Sequence, residues 1–263
     1  MGCPCTEHFF LIFFSLIIIL QYAPASATTA GTSCSTCFSR TRAVYYSNSE
    51  HQGTETGACE YGVMGATLYG GDVSASAKLY RDGVGCGACY QVRCTNRRYC
   101  SREGVSVVIT DHGASDGADF ILSMHAFANL GQSAYAGTLL VALGVVDVEY
   151  RRVSCSYPNK NITFKMDHSA DFPYYFAFQI WFQQGDRDIV AVQLCETESL
   201  SCKLMERSHG AVWAMGSPPE GPLSVRMLLS GEEDRVETWL VPPNDIPEFW
   251  RANDVYDSGI QVE

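Results

Sequence analysis

Three aspartates, Asp111, Asp116 and Asp119, fall within nine residues, and the first directly follows the β-branched run Val105-Ser-Val-Val-Ile-Thr110. Carboxylates brought together across a groove are what glycosidic-bond cleavage requires. One protonates the leaving oxygen, and the other activates water or stabilises charge. His112 stands beside Asp111, and a His–Asp pair can move protons near neutral pH. The simpler reading is a partly exposed loop histidine, and for Asp116 and Asp119 a solvated loop. No other catalytic system is legible. The chain has no G-x-S-x-G elbow, no P-loop and no dinucleotide fingerprint.

Cysteine is the second chemistry-bearing residue. Cys34-Ser-Thr-Cys37 and Cys86-Gly-Ala-Cys89 both have the C-x-x-C spacing of a zinc site. No Cys/His cluster completes a tetrahedral set, so no metal is expected. The N-terminus supplies the better explanation. Phe9 to Leu20 is one apolar run, too short for the roughly 20 residues that span a bilayer. Ala25-Ser26-Ala27 follows with the small-x-small pattern of a cleavage site. Residues 1–27 therefore read as a signal peptide, although no Lys or Arg precedes the run. Its removal takes Cys3 and Cys5 with it and leaves ten cysteines. An even number in an oxidising compartment implies disulfides. Asn161-Ile162-Thr163 is an N-glycosylation acceptor, which has meaning on a secreted route.

Acidic residues outnumber basic ones by 29 to 18, which disfavours nucleic acid as a partner. No later segment is long and apolar enough to hold the mature form in a membrane. A neutral polysaccharide needs aromatic faces and hydrogen bonds instead of net charge, and the chain has 14 Tyr and 13 Phe.

The elements that must position these groups are mainly strands. From Arg42 to Val153 short strands alternate with Gly-rich turns, and Val141 to Tyr150 reads as one long strand. Ser123 to Leu130 is the one helix expected, with Ser123 as its cap. A β-barrel with little helix is the natural packing. The composition shifts after Ser156–Asn159. Asn161–Met166, Tyr174–Phe182, Ile189–Leu194, Leu223–Leu229 and Thr238–Val241 have the spacing of a β-sandwich of about 100 residues. The domains expected are a barrel over 40–156 and a sandwich over 160–260.

Gly83-Val-Gly-Cys-Gly-Ala-Cys-Tyr-Gln-Val-Arg-Cys94 is the most informative stretch. With Gly57-Ala-Cys-Glu-Tyr-Gly62, Val108-Ile-Thr-Asp111, Val148 to Cys155, Arg207 to Trp213 and Val255 to Ile260, it closely resembles the plant expansin superfamily. The resemblance covers nearly the whole mature chain, in order. It implies an all-β protein, a six-stranded double-psi β-barrel followed by an immunoglobulin-like sandwich that binds cell-wall polysaccharide. It also implies the disulfides Cys59–Cys86, Cys89–Cys155 and Cys94–Cys100. Cys34 with Cys37, and Cys195 with Cys202, are further pairs left open. The likeness is to the expansin-like branches A and B, without a choice between them.

Departures from the family pattern bear on function. Alpha- and beta-expansins carry His-Phe-Asp before the helix. The aligned residues here are Asp119-Phe120-Ile121-Leu122-Ser123, so Ile121 replaces the second carboxylate and Asp111 is the one retained. Val44 replaces a groove Thr, Tyr46 keeps a groove Tyr, and Gly113 stands where related proteins often have Cys or an aromatic. Tyr174 and Tyr175 match the first aromatics of the sandwich platform, His209 replaces a platform Trp, and Trp213 is either platform or core. Together with these residues, the resemblance implies a secreted, monomeric wall protein without cofactor that binds cellulose or matrix glycan without hydrolysis, with wall loosening as its expected effect. Two alternatives stand beside it. One is a weak hydrolase or lytic enzyme using Asp111 with Asp116 or Asp119; the other is a lectin-like structural or defence protein.

Overall fold

The computed structural model describes residues 37–46, 53–199, 201–231 and 235–262. The expected signal segment and Cys34 lie outside the described residues. Six strands close a barrel: β1 (Ser39–Tyr46), β2 (Val73–Ala75), β3 (Cys89–Cys94), β4 (Val105–Asp111), β5 (Phe120–Ser123) and β6 (Val145–Arg152). Their order is β1-β5-β2-β4-β3-β6. The β1–β5 and β2–β4 pairs are parallel, and closure leaves no free edge.

Side-chain alternation sorts the strands into inner and outer faces. In β1, Tyr45 turns inward and meets Phe127 with ring centroids 4.9 Å apart, so its neighbour Tyr46 turns outward. Phe120, Leu122, Ile109, Phe127, Leu130 and Leu140 are fully buried in the barrel core.

Among the described residues four α-helices connect the strands: α1 (Val63–Thr67), α2 (Ala77–Tyr80), α3 (Met124–Asn129) and α4 (Ala134–Leu143). The expected helix after Ser123 is α3, capped where Ser123 Oγ accepts the Ala126 amide at 3.0 Å. The expectation of one helix and of a strand from Val141 to Tyr150 is corrected by α4. Ser133 caps that helix by accepting the Ala136 amide at 3.2 Å. Gly144, at φ 76°, ends it and lets β6 begin at Val145. Glycine adopts this backbone without the penalty a Cβ carries.

The remaining strands form two sheets. They are β7 (Thr163–Met166), β8 (Tyr175–Trp181), β9 (Ile189–Glu196), β10 (Cys202–Leu204), β11 (Glu206–His209), β12 (Val212–Gly216), β13 (Leu223–Leu229), β14 (Thr238–Leu240) and β15 (Val255–Asp257). One sheet runs β10-β9-β13-β14 and the other β11-β12-β8-β7-β15. Their shared core holds Phe164, Met166, Phe176, Phe178 and Leu194, all buried. The strands β10, β11, β12 and β15 are short or mixed in polarity and gave no strand signal in the sequence.

The disulfides Cys59–Cys86, Cys89–Cys155 and Cys94–Cys100 are present, and Cys195–Cys202 bridges β9 to β10.

Barrel and sandwich meet through backbone. The Ala211 amide donates to Cys59 O at 3.3 Å, and Gln179 Nε2 donates to Glu60 O at 2.7 Å. A Cβ on Gly83 would lie 2.1 Å from Gly210 O, and one on Gly210 would lie 2.2 Å from Ala58 O. Only glycine permits this approach. An ion cluster flanks it. Asp188 takes both Nη atoms of Arg81 at 2.7 and 3.0 Å, and Arg152 Nη2 at 3.3 Å.

Candidate functional site

The barrel face that carries Asp111 is built from the C-terminal ends of β1 and β4, with β2 and β5. Ala75 in β2 pairs with Ile121 on one side and with Asp111 on the other. Residues 111 and 121 are thus two strand spacings apart, about 10 Å. Asp111 is half-buried. Its Oδ1 accepts the amides of Ala58 at 2.6 Å and His112 at 2.7 Å. That loop approaches because residue 57 is glycine: a Cβ there would lie 2.6 Å from Thr110 O and 3.3 Å from the Asp111 Cβ.

Tyr46 shares this face. Burial, and then the Asp111 charge, push its phenol well above the usual tyrosine range, so it stays protonated and able to donate a hydrogen bond. Ile121 lies against Gly113, where a Cβ would approach its Cδ1 to 3.0 Å and the Ala75 Cβ to 3.2 Å. The Ile121 side chain and the missing side chain at 113 are therefore matched in packing. An apolar plug occupies that part of the groove.

The other candidate acids and bases face different neighbours. His112 reaches Asp111 through its amide; its ring stands edge-on to Tyr80 with centroids 5.1 Å apart. Asp119 Oδ2 receives Lys78 Nζ at 2.8 Å and the Tyr150 hydroxyl at 3.4 Å. Asp116 sits on an exposed turn whose carbonyls, Asp116 O and Gly117 O, accept from Arg42. Neither carboxylate takes the place of residue 121. Tyr80 was not singled out beforehand. Nothing local marks it, because its position depends on the fold bringing α2 to the end of β4.

On the sandwich, Tyr174 is 72% exposed, in the turn before β8, and Tyr175 is half-buried as the first residue of that strand. The turn frees both neighbours from strict alternation. Tyr175 packs on Ala177, Val212 and Ala214, the small-residue outer face of the five-stranded sheet. His209 is exposed at the end of β11, with Nδ1 3.0 Å from Ser208 Oγ. Nearby Asp167 is opposed by burial. The Ser169 hydroxyl and amide, and then His168 and His209, outweigh that cost and hold its carboxyl below the ordinary value.

Trp213 as a sugar-stacking residue is corrected by the structure. It pairs with Phe178 on the core side of β12 and is 5% exposed. The Arg207 guanidinium lies 4.2 Å from its ring centroid, so no face is free for a sugar. The sandwich also exposes an aromatic pair that the sequence reading does not single out: Phe172 and Phe249, 42% and 69% exposed, with centroids 5.8 Å apart. The Phe249-Trp250 dipeptide near the C-terminal end was the available signal.

A closed six-stranded double-psi β-barrel joined to a β-sandwich, with Asp111 on the barrel face and exposed Tyr174 on the sandwich, defines a class of protein. Residues 162–247 match the family described as the expansin C-terminal domain, and residues 72–150 match the double-psi barrel family described as lytic transglycolase. The chain is 61% identical to expansin-like B1 of Oryza sativa subsp. japonica, over 96% of this chain and 95% of that one. It is 40% identical to expansin-like B1 of Arabidopsis thaliana, over 85% of this chain and 88% of that one. Against expansin-like A1 of Arabidopsis thaliana the figures are 34%, 95% and 92%. The chain belongs to the expansin superfamily. Its fold is also similar to the crystal structure of apo Clavibacter michiganensis expansin, with a TM-score of 0.62 at 16% identity over 86% of this chain and 98% of that one. A mutant of the same bacterial protein, solved in complex with cellohexaose, gives the same TM-score of 0.62.

Proposed function

We propose that this chain is a secreted plant cell-wall protein that binds polysaccharide and loosens contacts between chains without cutting them. Residues 1–27 are its cleaved signal, 40–156 its barrel domain, 160–260 its sandwich domain, and Asn161 its glycan acceptor. The observation that carries the reading is Ile121. It lies across Ala75 from Asp111 and packs on Gly113. Hydrolysis of a glycosidic bond needs an acid and a base in concert, and an isoleucine exchanges no proton. The cellohexaose bound by the bacterial relative supports a β-glucan as ligand.

Asp111 acts as a hydrogen-bond acceptor for sugar hydroxyls. The two amides occupy Oδ1 and leave Oδ2 available. Tyr46 donates from the same face. Tyr174 and Tyr175 present rings to the apolar faces of sugars. A chain held on these surfaces displaces its neighbours by competition, and no covalent step is involved.

The test is a panel of wall polysaccharides with purified protein and the Tyr174→Ala and Tyr175→Ala variants, with reducing ends assayed in parallel. Each substitution is expected to weaken binding about 2- to 10-fold. New reducing ends that disappear in Asp111→Ala would refute the non-hydrolytic reading.

A further inference from the structure

At the other end of the barrel lies a second cleft that the groove does not use. It joins the start of β1, the end of β3, the β3–β4 turn and β6, and has a volume of about 930 Å³. Four of its eleven lining residues are arginines: Arg40, Arg93, Arg97 and Arg102. In a chain of net charge −11 this is a pronounced local reversal.

Only one of the four is neutralised. Arg93 pairs with Glu149 at 2.5 Å, and the Arg93 guanidinium also covers the Phe38 ring at 3.7 Å. Arg40, Arg97 and Arg102 are exposed and have no acceptor among the described residues. Glu103 is the remaining acid in the cleft. Unpaired guanidinium groups so close together repel one another, and an anionic ligand relieves that repulsion.

The cleft is built, not incidental. Arg97 rides the loop closed by Cys94–Cys100. The Ser101 amide donates to Leu130 O at 2.8 Å and the Gln132 amide to Tyr99 O at 2.8 Å, which ties the loop to the α3–α4 connection. Gly104, at φ 69°, turns the chain into β4 against Val92 O, where a Cβ would lie at 2.1 Å. The arginines are thus held on a rigid frame and bind without ordering the backbone first.

We propose that this cleft binds an acidic polysaccharide, a chain of uronate sugars whose carboxylates meet Arg40, Arg97 and Arg102. Three features select that class. Arg40 lies on β1 and Arg97 and Arg102 lie five residues apart on the β3–β4 connection, so the cations are spread along the cleft and match charges repeated along a chain. The guanidinium fork pairs bidentately with carboxylate. Thr95, Ser101 and Gln132 line the same cleft and suit sugar hydroxyls. A volume near 900 Å³ is at the upper end of ligand sites. Arg40 and Tyr46 mark opposite ends of β1, about 20 Å apart, so the two sites can hold two chains at once. The proposal rests on the reading that the protein works among wall polysaccharides, and gives it a second ligand.

The experiment is affinity electrophoresis of the full chain and the Arg97→Gln/Arg102→Gln double variant in gels containing polygalacturonate. Matched gels carry fully methyl-esterified polygalacturonate, heparin or a neutral β-glucan. The native chain is expected to be retarded by polygalacturonate and not by its methyl ester, with retardation falling as salt rises. The double variant is expected to bind polygalacturonate at least about fivefold more weakly and the β-glucan unchanged. Neither arginine has an internal partner, so an unchanged melting temperature verifies folding. Equal retardation of the two proteins, or of the acid and its ester, would overturn the proposal, as would heparin binding as tight as polygalacturonate binding. Loss of β-glucan binding by the native chain alone would count against the groove reading and leave this one standing.

Discussion

Replacing Gly210 by alanine tests whether barrel and sandwich form one rigid body. The added methyl would lie 2.2 Å from Ala58 O, 2.9 Å from the Cys59 Cα and 3.0 Å from its carbonyl carbon. All three are backbone atoms on a segment bolted by the Cys59–Cys86 disulfide and by the Cys59 amide on Thr110 O. No side chain can rotate away, so the domains must separate locally. The left-handed backbone at φ 48° costs an alanine about 1–2 kcal/mol. The steric term adds about 1–3 kcal/mol. The total, about 2–5 kcal/mol, lowers the melting temperature by about 4–20 °C in a chain of this size.

Two other glycines separate the contributions. A Cβ on Gly144 meets nothing within 4 Å but has φ 76°, so Gly144→Ala carries the backbone cost alone. Gly216 also has nothing within 4 Å and no positive φ, so Gly216→Ala is close to neutral. Scanning calorimetry of the three variants is expected to rank them 216, 144, 210 in increasing loss. A Gly210→Ala protein that melts no lower than Gly144→Ala would refute the interface reasoning.

Asp188→Ala leaves Arg81, Arg152 and nearby Arg207 without their shared counter-ion. With Arg81 40% exposed, water screens part of the loss, and about 1–3 kcal/mol is expected from denaturant titration; an unchanged midpoint would count against it. Ser169→Ala removes the hydroxyl that donates to Asp167 Oδ1 at 2.6 Å and should move that carboxyl upward in a carbon-detected NMR titration. In the native chain its folded value lies below the ordinary 3.8. Its contribution to stability is thus present above the unfolded value and lost as pH falls through the folded one. The variant should be less stable than the native chain above about pH 4 and converge with it in acid, and identical pH profiles would refute the assignment.

Particular residues show how far the sequence could be read. Strand-like runs located β4, β8, β9 and β13; β13 alternates strictly in burial, whereas β4 and β8 are buried on both faces and were legible as continuous β-branched or apolar runs. The same reading missed α4, whose residues Ala134 to Leu143 are small or apolar on every side and so lack a polar face. The cap at Ser133 and the Gly144 stop were the usable signals. The short strands β10 and β11 were invisible because mixed polarity over three or four residues has no period to detect, and β12 because five residues without a polar position show no alternation.

The site divides in the same way. Ile121 is a property of one position, so the absence of a carboxylate there was legible in the sequence, and the resemblance supplied the three barrel disulfides. Tertiary structure alone decided the rest, because each remaining feature depends on atoms far apart in the chain. Lys78 occupies Asp119 from 41 residues away. Arg207 and the pairing with Phe178 place Trp213 in the core. Gly113 meets Ile121 only once Ala75 lies beside them. The sequence by itself determined which groups are available; the packing of distant segments decided which faces they present and which of them are left free.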